Sequence, residues 1–220
     1  VLNKSQTQAF TLGIDAANIR DGGGVTHLVE LLRVVQPELH GIDRIVVWGG
    51  TTTLAALEDQ PWLTKCKSPS LDKGLLRRTL WQRYRLSQAA YDEGCDVLFV
   101  PGGSYAGNFH PVVTMSQNLL PFEINELRRY GWTFLTLKLL LLRLTQSRSF
   151  HKADGVIFLT EYAHDVVFKV LGKLSGQTCI VPHGLNDRFK SVPKLQHAIA
   201  DYDDTNPYRV LYVSIIDQYK

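Results

Sequence analysis

The sequence predicts an α/β fold, a doubly wound parallel sheet of Rossmann-like type. Three observations predict it. Apolar runs of strand length recur along the chain with helical segments between them. Most of these runs are near-continuous rather than alternating, as expected of parallel strands buried on both faces. A Gly22-Gly23-Gly24 run separates the first apolar run from the first amphipathic helical pattern.

Residues 10–15 (Phe-Thr-Leu-Gly-Ile-Asp) form the first predicted strand. Val25, Leu28, Leu32 and Val35 follow at spacings of three and four, which predicts a helix over 24–36. Strand, glycine turn and helix together aim backbone N–H groups at an anion, and the helix N-terminus adds partial positive charge. The second strand is predicted at 42–48, and a helix at 72–93. Strands at 96–100 and 112–116 come next, then a helical stretch over 122–151 broken near Gly131. A strand at 155–159, a helix at 162–172 and a strand at 178–181 complete the pattern. Ligands on such sheets lie beyond the carboxyl ends of the strands. Those ends are polar or glycine-rich here: Asp15-Ala-Ala-Asn18, Gly49-Gly50, Pro101-Gly-Gly-Ser104, Ser116-Gln-Asn118, Thr160-Glu161 and Pro182-His-Gly184.

The triplet is neither of two common phosphate motifs. Counting from Gly22, the sixth position of a dinucleotide fingerprint is His27, and the second strand ends in Gly49-Gly50 rather than an acid. No Gly-Lys-Ser/Thr follows, which excludes a P-loop.

The 220 residues suffice for one large α/β domain or one domain plus part of another. A net charge of +3 does not argue for nucleic acid. Cys66, Cys95 and Cys179 are far apart, which suggests a reducing compartment and buried thiols instead of a disulfide frame or zinc site. No metal is expected, because no acidic or histidine cluster has ligand spacing. There is no N-terminal signal pattern, and the chain starts at Val1 without a methionine. The expected organisation is a Rossmann-like domain over 1–190, a linker over 191–207 and the start of a second domain over 208–220, where Tyr208–Val213 reads as a fresh strand.

Charge is uneven. Between Leu127 and Ala153 there is no acid, while Arg128, Arg129, Lys138, Arg143, Arg148 and Lys152 give +6. The same stretch holds Trp132, Phe134 and Leu139–Leu142, an apolar run too short and too interrupted to span a bilayer. Helical from about 134, it carries two opposite polar stripes, Thr136/Arg143 and Lys138/Thr145. Three readings follow: a helix packed between two apolar surfaces, an anionic membrane surface patch over 128–152, or a site for a phosphate-bearing acceptor.

Four segments in order resemble glycosyltransferase family 4: Gly13–Gly24, Pro111–Phe122, Ile157–Glu161 and Val181–Gly184. These are retaining enzymes of the GT-B fold, with two Rossmann-like domains facing a cleft. The resemblance covers nearly the whole chain as the N-terminal, acceptor-side domain. It implies transfer of a sugar from a nucleotide-sugar donor to a glycan or lipid-linked acceptor, as in cell-surface polysaccharide or lipopolysaccharide synthesis. It also implies a cytoplasmic protein, peripheral on the inner face of the membrane, with no cofactor besides the nucleotide-sugar co-substrate. Gly22, Gly23 and Gly24 match the loop that faces the donor diphosphate, and Lys220 matches a diphosphate-binding lysine. The family often has His-Asp where this chain has Gln117-Asn118, and Gly-Arg where it has Ser214-Ile215. The first departure removes a titratable group, and the second removes an arginine. A nucleotide-sugar epimerase on the same scaffold and a non-catalytic glycan- or nucleotide-binding module are the alternatives.

The remaining candidates each carry two readings. Asp15, Asn18 and Arg20 either shape the loop after the first strand or touch the ligand, with Arg20 joining Gly22–Gly24 and Lys220 as a diphosphate ligand. Glu161 is favoured at a helix start by the dipole alone, or lies at the cleft. Gly103 and Ser104 belong to a tight turn or face the acceptor. His183 serves a turn or a ligand. Gln117, Asn118 and Glu161 are the catalytic candidates.

Overall fold

The computed structural model describes residues 9–190, 192 and 198–211. Seven strands form one all-parallel sheet: β1 (Phe10–Ala16), β2 (Ile42–Gly49), β3 (Leu63–Lys67), β4 (Val97–Val100), β5 (Val112–Ser116), β6 (Gly155–Phe158) and β7 (Gln177–Ile180). Their order is β3-β2-β1-β4-β5-β6-β7, so the chain reverses its direction of travel across the sheet between β1 and β4. That reversal is the topological switch point of a doubly wound fold.

The six strands predicted between residues 10 and 181 are all present. β3 is an addition, since Leu63-Thr-Lys-Cys-Lys67 has none of the continuous apolar character of the others. It is an edge strand paired only to β2 among the described residues. An edge strand has one partner, and charged residues there discourage pairing with other chains.

Helix α1 (Gly22–Val34) packs Leu28 and Leu32 on one sheet face. There they meet Ile14, Ile45 and Val47, together with Leu54 of α2 (Thr51–Ala55). The opposite face holds Val46, Trp48, Leu98, Val100, Val112, Val156 and Phe158. Adjacent residues of β2 thus enter different cores, as the pleat requires. The second face is covered from α3 (Leu75–Trp81), α4 (Ser87–Asp92) and the turn between them, α6 (Phe134–Lys152) and α7 (Glu161–Leu171) by Trp81, Leu86, Ala90, Phe150, Ala163 and Val167.

Two predicted helices are refined. The 72–93 segment begins with a 3-10 turn over Pro69–Asp72, and residues Gln82–Leu86 between α3 and α4 form a π turn. The 122–151 stretch divides into α5 (Ile124–Arg129) and α6. Gly131, with φ +59°, makes the break, and Thr133 caps α6 by accepting from the Thr136 N–H at 3.3 Å.

Cys66, Cys95 and Cys179 are free thiols. Cys95 is buried, but Cys179 is exposed, because the edge strand β7 is exposed along its whole length. No helix among the described residues is long and apolar enough to cross a membrane.

The chain divides into two compact units after Pro182. In the second, short 3-10 turns occupy Asp187–Phe189 and Ile199–Asp201, and the Tyr202 and Tyr208 rings meet edge-on at 5.1 Å. Tyr208–Leu211 of the predicted strand over 208–213 are in no strand, and 212–220 lie outside the described residues.

Candidate functional site at the switch point

Beyond β1 the chain runs Ala17-Asn18-Ile19-Arg20-Asp21 into α1. The glycine triplet is the first turn of α1 itself, not a loop before it. Gly22 has φ +60°, which glycine adopts without strain. The Asp21 N-cap makes no side-chain hydrogen bond to the turn. A Cβ added at Gly22 or Gly23 would meet nothing within 4 Å. The α2 N-terminus differs: Asp72 accepts from the Thr51 N–H at 2.6 Å and from its hydroxyl at 2.8 Å. Those bonds hold the Asp72 carboxyl below the usual carboxylate range.

Asp15 lies at the end of β1 and is only 2% exposed. Its Oδ1 accepts from the Ala17 N–H at 3.0 Å, which is the loop-shaping role of an Asx turn. Its Oδ2 accepts from Gln82 Nε2, and Asn18 Nδ2 donates to Gln82 Oε1 at 3.4 Å. Burial pushes the Asp15 carboxyl up to about 6, partly offset by the Ala17 and Gln82 bonds. Gln82 opens the π turn, and such turns often sit at functional sites. Sequence reading gave no weight to Gln82, since a lone glutamine inside an arginine-rich helical pattern has no signature.

Two guanidiniums flank this segment. Arg20 Nη1 donates to the Lys73 carbonyl at 3.1 Å, and Arg78 Nη1 donates to the Ala17 carbonyl at 3.0 Å. Burial lowers the Arg78 pKa, and the Arg20 charge lowers it further. Asp72 feels Arg20 as well, a weaker influence than its bonds to Thr51. Arg78 was legible in sequence only as one of four arginines on a helix, with nothing to separate it from Arg77, Arg83 and Arg85.

The other wall comes from β4 and β5. A methyl placed on Gly102 would lie 3.6 Å from Asn18 Cβ, so the turns after β1 and β4 meet across the switch point. Gly103 has φ +72°, and a methyl there would be 2.9 Å from Gln146 Nε2 and 3.1 Å from the Met115 carbonyl. Gln146 is buried on α6. Gln117 Nε2 donates to Met115 Sδ at 3.4 Å, and its Oε1 would lie 3.9 Å from a methyl on Gly24. Asn18 Oδ1, Arg78 Nε, Ser104 Oγ, Ser116 Oγ and Gln146 Oε1 are buried with no hydrogen-bond partner among the described residues. Buried polar atoms are ordinarily satisfied, so each of these keeps capacity for a further hydrogen bond.

The other candidates behave differently. Asn118 Oδ1 accepts from the Leu120 N–H at 3.1 Å, a local turn bond. Glu161 is exposed at the first position of α7, beyond the Thr160 cap, whose hydroxyl accepts from the Ala163 N–H at 3.0 Å. That is the position the helix dipole favours. His183 opens the second unit, and Lys220 lies outside the described residues. Among the described residues no group of three His, Cys, Asp or Glu side chains is arranged to hold a metal. No protein-family profile matches the chain, and no curated protein matches it.

Proposed function

We propose that this chain is the acceptor-side domain of a retaining glycosyltransferase that uses a nucleotide-sugar donor. The observation that carries the reading is the pair Arg20 and Arg78 beside the uncapped glycine turn of α1, at the β1/β4 switch point. Burial and the Arg20 charge both disfavour the Arg78 cation, and an anion beside the two guanidiniums would offset that cost. Backbone N–H groups of a glycine turn accept the same ligand, because no Cβ keeps it away. In the transition state charge builds on the leaving diphosphate, and fixed cations and amides aimed at it supply electrostatic catalysis. Asn18, Ser104, Ser116 and Gln146 offer acceptors and hydroxyls of the kind that bind sugar hydroxyls. Lys220 is a further candidate for the diphosphate, and the catalytic groups remain candidates among Gln117, Asn118 and Glu161. No metal is assigned a role. The setting proposed is the cytoplasmic synthesis of a cell-surface glycan.

A second reading, a non-catalytic binding module, is favoured by one observation. The 117–118 pair is all amide, and Asn118 is engaged with its own loop. The epimerase alternative has no such support.

The deciding experiment incubates the full-length protein that carries these residues with UDP-, GDP- and ADP-sugars and a glycolipid extract. Products are identified by mass spectrometry, and donor binding is followed by calorimetry. A new sugar on an acceptor is the expected result. Donor converted without an acceptor product points to epimerase or hydrolase chemistry. Donor bound but unchanged points to the binding module. Absence of binding to any donor overturns the reading.

A further inference from the structure

Helix α6 buries one side and leaves an apolar stripe on the other. Thr136, Leu139, Gln146, Ser149 and Phe150 face the domain. Phe134, Leu137, Leu141 and Leu144 recur at spacings of three and four on the opposite side, and all are exposed. Phe134 is 83% exposed, and Trp132, just ahead of the helix, is fully exposed. An open apolar groove of about 380 Å³ runs between Trp132, Phe134, Leu137 and Leu140. Among the described residues only one of the two faces of α6 is covered.

Charge identifies the occupant. Lys138 and Arg148 are exposed on α6 with the stripe, Arg128 precedes it on α5, and none of the three makes an ion pair among the described residues. Lys152 is committed inward, donating to Asn108 Oδ1 at 2.7 Å and to the Gly107 carbonyl. Arg129 is held by Glu126 at 2.7 Å. A second copy of the chain docking through the same face would bring Lys138 and Arg148 against their own counterparts, with no acid between Leu127 and Ala153 to separate them. A lipid surface meets both demands: acyl chains take the leucines and the aromatic rings, and anionic headgroups take the cations.

We infer that α6 and the turn before it form an interfacial anchor for an anionic bilayer, with Trp132, Phe134, Leu137, Leu141 and Leu144 entering the headgroup region. The helix lies in the membrane plane and does not cross it. This attachment is independent of the proposed activity.

Flotation of the 220-residue chain with vesicles tests it, using phosphatidylcholine alone and phosphatidylcholine with phosphatidylglycerol. Binding is expected only to the anionic vesicles and falls with added salt. Each cation removed from the set weakens it by about fivefold. A blue shift in tryptophan emission accompanies binding and disappears in Trp132→Phe. The double variant Leu137→Glu/Leu141→Glu abolishes binding by at least about tenfold while circular dichroism is unchanged, since both side chains are exposed. No binding at low salt, equal binding to neutral vesicles, or full binding by the double variant overturns the proposal. So does a dimer in light scattering that the double variant dissolves.

Discussion

Gln82 and Asp15 are joined through the amide and carboxylate at the exit of the central strand, 67 residues apart in sequence. The same amide reaches Asn18 with its oxygen. One glutamine on a π turn therefore fixes both polar residues that leave β1.

Gln82→Ala removes the donor to a buried carboxylate. Leaving such a group short of a partner costs about 1–3 kcal/mol. Chemical denaturation is expected to show a loss of that size, with an upward shift of the Asp15 titration followed by carbon NMR. A variant as stable as the parent, with an unmoved titration, would contradict the bridge.

The raised pKa of Asp15 has a definite sign for stability. The folded group titrates at about 6, above its ordinary 3.8. Between those values the native state keeps a proton that the unfolded chain has released. Stability contributed by this residue therefore falls as pH rises from about 4 to about 6, by on the order of 3 kcal/mol. Above that window the full cost is present. Denaturation midpoints measured across the window should show this decline, and Asp15→Asn should flatten it.

How much of this was readable beforehand follows from particular residues. Ile14, Val46 and Val100 sit in apolar runs, and burial on both sheet faces forces such runs, so the strands and their order of appearance were legible. β3 was not, because edge position relaxes the demand for apolar side chains and Thr64, Lys65 and Lys67 obscure it. Asp15, Asn18 and the glycine triplet were visible as the end of a strand. Gln82, Arg78 and Gln146 were not, because their roles come from tertiary proximity across 61 residues or more for the first two, and across the β4 turn for the third.

Gly23 separates fold from ligand. A Cβ there meets nothing within 4 Å of the protein, and its φ is not in the left-handed region. Gly23→Leu is expected to fold normally by circular dichroism and to lose donor binding and turnover. Unchanged turnover would remove the diphosphate role from this turn.

Gly103 is the opposite case. Its φ of +72° and the 2.9 Å approach of Gln146 Nε2 both resist a Cβ. Gly103→Ala should cost about 1–3 kcal/mol in urea melts. A near-neutral result would mean that the turn relaxes.

Arg20 and Arg78 should act together on an anion. Calorimetry with inorganic pyrophosphate is expected to show about tenfold or greater weakening for Arg78→Ala, from loss of a charge-assisted contact. Arg20→Ala should weaken binding in the same direction. Binding that survives both substitutions would locate the anion elsewhere.

The strand order also governs when this crevice can come into existence. β1 and β2 are neighbours in sequence and in the sheet, whereas the other edge of β1 is paired by β4, and just ahead of β4 the Asp96 N–H donates to the Thr11 carbonyl across 85 residues. During synthesis at about 5–20 residues per second, the apolar flank of β1 waits on the order of ten seconds for its second neighbour. Closing so distant a pair is slow compared with local helix formation. The pocket is thus a late product of assembly, and the nascent chain carries an open central strand edge that a chaperone or a neighbouring nascent chain can reach first.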